Sequence, residues 1–310
     1  MKTLWKILFA GLLLATFPAA QAIQKNGFDL TGALLPLDEI LQGGPPRDGI
    51  PAIDRPQFVK AGDARFLKNS DRVLGIVRGG IAKAYPVRIL NWHEIVNDAF
   101  GTERIAVTFC PLCGTGMAYL SETNGKPLNF GVSGLLYNSD VLLYDRQTDS
   151  LWSQILSQAV SGPLKGARLT SVPLSHTTWA DWKKRHSGTL VLSTDTGFAR
   201  DYARDPYESY AQNPALLFPV KGQSTRYHPK EQVIGVEVNG KFKAYPFVEL
   251  SKGPREVVDS VGGQKIIVRF DGEHRTGNVY DAASKEIPSV IAFWFAWYAF
   301  HNDTEIYHSK

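Results

Sequence analysis

The hydrophobic pattern of this chain is mainly a strand pattern. Short runs of β-branched and aromatic residues recur between Gly, Asn, Asp and Pro positions, and runs of that kind favour strands. Residues 73–77 and 81–85 flank Arg78-Gly79-Gly80, a hairpin signal. Residues 236–238 and 242–245 flank Asn239-Gly240, the strongest two-residue hairpin turn, because both central positions require positive φ. Residues 87–99 read as helix and 105–109 as an alternating strand. Further strands are predicted at 141–144 and 190–192, and a short helix from Trp179 to His186 behind Ser175-His176-Thr177-Thr178. Residues 197–215, rich in Tyr, Asp and Pro, read as an ordered loop. Behind Pro288, residues 289–301 read as an aromatic helix or a buried strand, too short to cross a membrane. Residues 23–60 carry Gly43-Gly44-Pro45-Pro46 and other turn formers, as expected of a segment that wraps a surface.

Self-similarity organises these elements. Val73-Leu74-Gly75-Ile76 recurs as Val233-Ile234-Gly235-Val236, and Lys83-Ala84-Tyr85-Pro86 as Lys243-Ala244-Tyr245-Pro246. One register later, Val107-Thr108-Phe109 matches Val268-Arg269-Phe270, and Met117-Ala118-Tyr119 matches Asn278-Val279-Tyr280. An ordered series at a nearly constant offset argues for duplication. The expected architecture is therefore α+β: a strand-rich domain of two pseudo-repeats, with a long insertion over residues 127–195 after the first. The boundaries follow as a leader at 1–22, the wrapping segment at 23–60, a first repeat at 61–215 and a degenerate second repeat at 216–310, with 61–310 forming one compact unit.

Composition narrows the class only modestly. The chain has 310 residues, 44% of them hydrophobic and 21% charged, which is ordinary for a globular protein. The net charge of +4 is spread out, and no basic run is interleaved with aromatics, so nucleic-acid binding is not expected. The N-terminus changes the picture more. Lys2 and Lys6 precede an apolar run over residues 7–17, and Ala20-Gln21-Ala22 then offers a small-x-small cleavage site. The run is shorter than the roughly 20 residues of a membrane span. An exported protein is expected, periplasmic or extracellular, with no integral membrane span once the leader is removed.

Two cysteines cannot staple a chain of this size, so the pair needs a local explanation. It lies in Phe109-Cys110-Pro111-Leu112-Cys113-Gly114-Thr115-Gly116. A thioredoxin-like pair opens a helix, whose N-terminus lowers the thiol pKa. Here Gly114 and Gly116 follow at once and disfavour a helix. A knuckle between two strands fits better, of the kind that points two sulfurs at one metal. Three chemistries stay open: copper(I) or zinc held by two thiolates, a reversible disulfide, and a nucleophilic cysteine. A purely structural turn is the alternative to all three. At the corresponding place the second copy has Asp271 and His274, which read as decay after duplication.

His93, in Asn91-Trp92-His93-Glu94, is the candidate third ligand or base. The second copy has Gly253 there, so the histidine belongs to the cysteine-bearing half alone. Asp145 and Arg146 are candidate polar contacts for a ligand, or residues that tie down a turn. Asp195-Thr196-Gly197 lacks the second triplet that a two-carboxylate protease needs. A phosphate loop, a dinucleotide fingerprint and a Gly-x-Ser-x-Gly elbow are all absent from the sequence.

Taken together, several runs resemble one family. They are Lys83-Ala84-Tyr85-Pro86, residues 89–98, residues 109–115, Tyr137-Asn138-Ser139-Asp140, residues 144–147 with 151–154, and Ser193-Thr194-Asp195-Thr196-Gly197. They are similar to the domain-of-unknown-function family numbered 3179, over nearly the whole chain behind the leader. The resemblance implies an exported or membrane-linked prokaryotic protein and carries no catalytic assignment. The functional expectation is a thiol-redox or metal-dependent protein centred on Cys110, Cys113 and His93. Its rival is a non-catalytic binding or scaffold protein with a structural knuckle.

Overall fold

The computed structural model describes residues 23–309. The leader predicted over residues 1–22 lies outside them. Among the described residues no helix is long and apolar enough to cross a membrane.

Five small, mainly antiparallel sheets are arranged as the blades of a β-propeller, with Leu190–Leu192 and Glu305–Ile306 each pairing parallel to one neighbour. Blade 1 contains the hairpin of Arg72–Arg78 and Ile81–Pro86, flanked by Phe58–Lys60, Ser175–Thr178 and Leu190–Leu192. Blade 2 is the meander of Ile95–Phe100, Glu103–Cys110 and Thr115–Leu120, extended by Ser171–Val172. Blade 3 contains Ile40–Gln42, Phe130–Tyr137, Asp140–Asp145, Leu151–Ser153 and Gln158–Ala159. Blade 4 is built on Gln232–Val238 and Lys241–Pro246, with Val290–Phe293 and Glu305–Ile306 at its edges. Blade 5 is the meander of Glu256–Val261, Gln264–Asp271 and Thr276–Asp281, with Glu286–Ile287.

The expected α+β fold of two pseudo-repeats with an insertion is overturned. The described residues are 41% strand and only 10% helix. The supposed insertion is not an appendage. It supplies most of blade 3, an edge strand of blade 2 and two strands of blade 1. Each small sheet buries its apolar face against its neighbours, as in the core shared by Leu74, Ile76 and Tyr85 of blade 1 with Val96, Ile105 and Val107 of blade 2, so the fold is organised by blades. The helix predicted over 87–99 is also cut short. It spans Val87–His93, is closed by Glu94 at φ 58, and gives way to the strand Ile95–Phe100. The β-branched pair Ile95 and Val96 suits that strand.

The repeated sequence patterns have a local physical cause. In Lys83-Ala84-Tyr85 the alternating Lys and Tyr share one face of the strand. Lys83 Nζ lies 2.8 Å from Asp98, and Tyr85 donates to the same carboxylate at 2.6 Å, tying blade 1 to blade 2. Lys243 and Tyr245 hold Asp259 in the same way, each at 2.9 Å, tying blade 4 to blade 5. Gly75 and Gly235 match for a steric reason. The ring of Trp182 lies on Gly75 and that of Trp297 on Gly235, so a Cβ would sit 2.3 and 2.2 Å from ring carbon. Both indoles are then fixed by hydrogen bonds, to Thr189 at 2.9 Å and to Thr304 at 3.0 Å.

These contacts predict that Gly75→Ala and Gly235→Ala each destabilise the protein by roughly 1–3 kcal/mol, the usual range for overpacking a core. Gly188, where a Cβ meets nothing within 4 Å, is the control. Thermal unfolding should show a lowered Tm for the first two variants and little change for Gly188→Ala.

Candidate functional site

Cys110 ends one strand of blade 2 and pairs with Thr115 at the start of the next, with residues 111–114 forming the turn between them. The chain passes from strand to strand, and no helix follows Cys113. Gly114, at φ 60, is needed at this turn for two reasons. The left-handed backbone suits glycine, and the Phe293 ring would lie 2.9 Å from a Cβ. The turn is locked from blade 4 by Phe293 N–H donating to the Cys113 carbonyl at 2.8 Å.

Opposite the sulfurs stands a second tight turn, in blade 3. Tyr137 pairs with Asp140, and the two central residues, Asn138 and Ser139, have φ of 51 and 62. The turn delivers two things to the cysteines. The Ser139 carbonyl lies 3.3 Å from Cys113 Sγ and 3.7 Å from Cys110 Sγ. Asp140 brings a carboxylate oxygen that lies, with both sulfurs, within a mutual separation of 4.8 Å. Asp140 Oδ2 accepts from Ile155 N–H at 3.1 Å, whereas Oδ1 is buried and has no hydrogen-bond partner among the described residues.

The electrostatics are those of acidic groups buried together. Cys110 and Cys113 are unbridged and buried, and burial pushes both thiols up. Burial also raises Asp140 from 3.8 to about 7 and Glu94 from 4.5 to about 8, the latter with help from Asp140. The acidic neighbours Asp140 and Glu94 raise Cys110 further. A segment running over residues 207–220 covers the group. Its Tyr207, Tyr210, Leu216, Phe218 and Val220 pack on the core that contains both cysteines. It is tethered by Ser139 Oγ donating to the Phe218 carbonyl at 2.8 Å and by Lys221 N–H donating to Asn138 Oδ1 at 2.7 Å. Both tyrosine hydroxyls are raised by burial and then by neighbouring acidic groups, Glu94 and Cys110 for Tyr207 and the two cysteines for Tyr210.

A family profile described as "Protein of unknown function (DUF3179)" matches residues 47–304. The chain belongs to this family. No curated protein and no solved structure matches it. The DUF3179 match reaches all five blades, leaving out only the edge strands Ile40–Gln42 and Glu305–Ile306, and includes both turns of the site.

The structure brings together Cys110 and Cys113, and adds Asp140 and Glu94, which sequence reasoning did not select. His93 is directed elsewhere. Its Nδ1 lies 2.7 Å from the Pro51 carbonyl and its Nε2 2.6 Å from the Tyr202 hydroxyl, so both ring nitrogens are engaged away from the sulfurs. Asp145 and Arg146 are occupied with local structure. Asp145 accepts from Thr148 N–H at 2.7 Å and from the Trp152 indole at 2.9 Å. Arg146 donates to Asp48 at 3.1 Å and to the Tyr144 hydroxyl at 2.8 Å. Asp271 accepts from Glu273 N–H at 2.9 Å, and His274 Nδ1 lies 2.8 Å from Thr178 Oγ1, so this pair ties down its own turn and a blade contact.

Glu94 sets a pH dependence for the metal-free protein. Its carboxyl binds a proton in the folded chain over a range where the unfolded chain has released it, so stability falls as pH rises from about 4.5 towards about 8. Glu94→Gln should flatten that fall. Chemical unfolding at a series of pH values reads the difference, and parallel curves for the two proteins would contradict it.

Proposed function

We propose that this is an exported metal-binding protein in which Cys110, Cys113 and Asp140 hold one divalent ion, with Glu94 beside them as a further carboxylate. The observation that carries this reading is the buried, unpartnered Oδ1 of Asp140, on a carboxylate that shares one small volume with two sulfurs. An unsatisfied buried polar atom is costly, and a cation would satisfy it together with both sulfurs. Export is supported by the leader pattern of residues 1–22.

Zinc fits this donor set best. Two soft thiolates with one or two hard carboxylates suit a borderline ion of tetrahedral habit. Copper(I) prefers purely soft ligands. The ion would supply positive charge where the chain supplies none, and its binding requires the thiols and carboxyls to lose their protons. Nucleophilic thiol chemistry is less well supported, because it needs a depressed thiol pKa, and burial and the neighbouring carboxyls push both thiols the other way.

Elemental analysis of the protein purified without chelator tests the reading. One zinc per chain is expected, with loss in Cys113→Ser and in Asp140→Asn while circular dichroism stays native. Cobalt(II) should replace zinc and show thiolate-to-cobalt charge transfer. A wild-type protein that holds no metal, takes up none from added zinc and still exposes two titratable thiols on unfolding would overturn it.

A further inference from the structure

Beside the cysteine turn opens a cavity of about 440 Å³. Phe109, Pro111 and Gly114 form part of its wall, whereas neither cysteine lines it. We propose that this cavity binds a small organic anion, a carboxylate carried on an apolar body. The proposal does not rest on the metal.

Charge is the first argument. Arg72, Lys230 and Arg275 line the cavity against a single carboxylate, Asp205. Among the described residues none of the three cations is ion-paired with a carboxylate. Arg72 instead donates to the carbonyls of His274, His176 and Arg275, at 2.7, 2.7 and 3.0 Å. Asp205 is already committed, accepting from Asn91 Nδ2 at 2.8 Å and from Tyr207 N–H at 2.9 Å. Burial and the charge of Arg275 pull Arg72 down to about 10, and the nearby carboxylate of Asp181 offsets this only in part.

The second argument is an orphaned donor or acceptor. His176 is 5% exposed and lines the cavity, and its Nδ1 has no hydrogen-bond partner among the described residues. Its ring stands edge-on to Phe109, with centroids 6.0 Å apart. Burial next to Arg72 keeps the imidazole neutral, so it can offer one N–H to an anion without bringing a charge that must be desolvated. The remaining wall includes the rings of Phe109 and Phe293 and the side chains of Val87 and Pro111. A ligand with an apolar body and one anionic end matches such a lining, in which a few polar groups fix orientation. Bare inorganic phosphate would leave the apolar wall without a partner.

Calorimetric titration of the full mature chain with benzoate, benzamide and inorganic phosphate tests the proposal. Benzoate should bind one to one. Neutral benzamide should bind at least about tenfold more weakly, the scale of one hydrogen bond to a charged group. His176→Phe, which keeps the ring shape, and Arg275→Met should each weaken benzoate by about tenfold or more, with unchanged Tm and unchanged metal content. Equal binding of benzamide, tighter binding of phosphate, no benzoate binding at about 10 mM, or wild-type affinity in both variants would each overturn it. Metal content is read separately, so loss of anion binding and loss of the metal are distinguishable results.

Discussion

Four acidic groups, the thiols of Cys110 and Cys113 and the carboxyls of Asp140 and Glu94, are buried together with no cation among the groups that shift them. An isolated buried charge costs several kcal/mol even after the surroundings relax. Two states relieve that cost: all four groups keep their protons, or a metal ion replaces them. The rest of the structure around the site can be read from this constraint. Two tight turns from different blades face each other, and left-handed residues on both, Gly114 on one and Asn138 and Ser139 on the other, let the backbone come close. The covering segment keeps water out and is tethered to the blade 3 turn that carries Asp140.

The propeller makes this meeting possible because its blades are separate sheets joined by side-chain clamps. Lys83 and Tyr85 on Asp98, and Lys243 and Tyr245 on Asp259, are largely buried charge-assisted contacts that set neighbouring blades in register. Blade 4 reaches the cysteine turn through Phe293, whose backbone bonds to Cys113 and whose ring lies against Gly114. Blade 3 reaches it through Ser139 and Asp140. The site therefore belongs to the assembly of blades 2, 3 and 4 and to no single sheet.

This explains what was legible in the sequence. The hairpins were readable because Arg78-Gly79-Gly80 and Asn239-Gly240 encode their turns locally. The matching tetrapeptides were visible because Gly75, Gly235 and the Lys-Ala-Tyr-Pro segments face the same steric and ionic demands in two blades. Blade 3 has no copy elsewhere in the chain, so a search for repeats treated it as an insertion, and the number of blades depended on pairings between distant strands. The cysteines announced themselves by scarcity. Their partners did not. His93 and Glu94 are adjacent on the helix end, and only the turn at φ 58 separates the histidine, bonded to Pro51 and Tyr202, from the buried Glu94 that raises Cys110. Asp140 lay within one of the runs that carry the family resemblance, yet its role depends on a contact across some 30 residues that no local pattern encodes. Tyr207 and Tyr210 looked like ordinary loop residues for the same reason.

The central claim is that the buried group is protonated when empty and trades those protons for a cation. Zinc titration by calorimetry, repeated in buffers of different ionisation enthalpy, counts the protons released on binding. With both thiols and the two carboxyls protonated beforehand, about two to four protons should leave per zinc bound near neutral pH. Zinc binding with no proton release, or no zinc binding at all, would contradict the account.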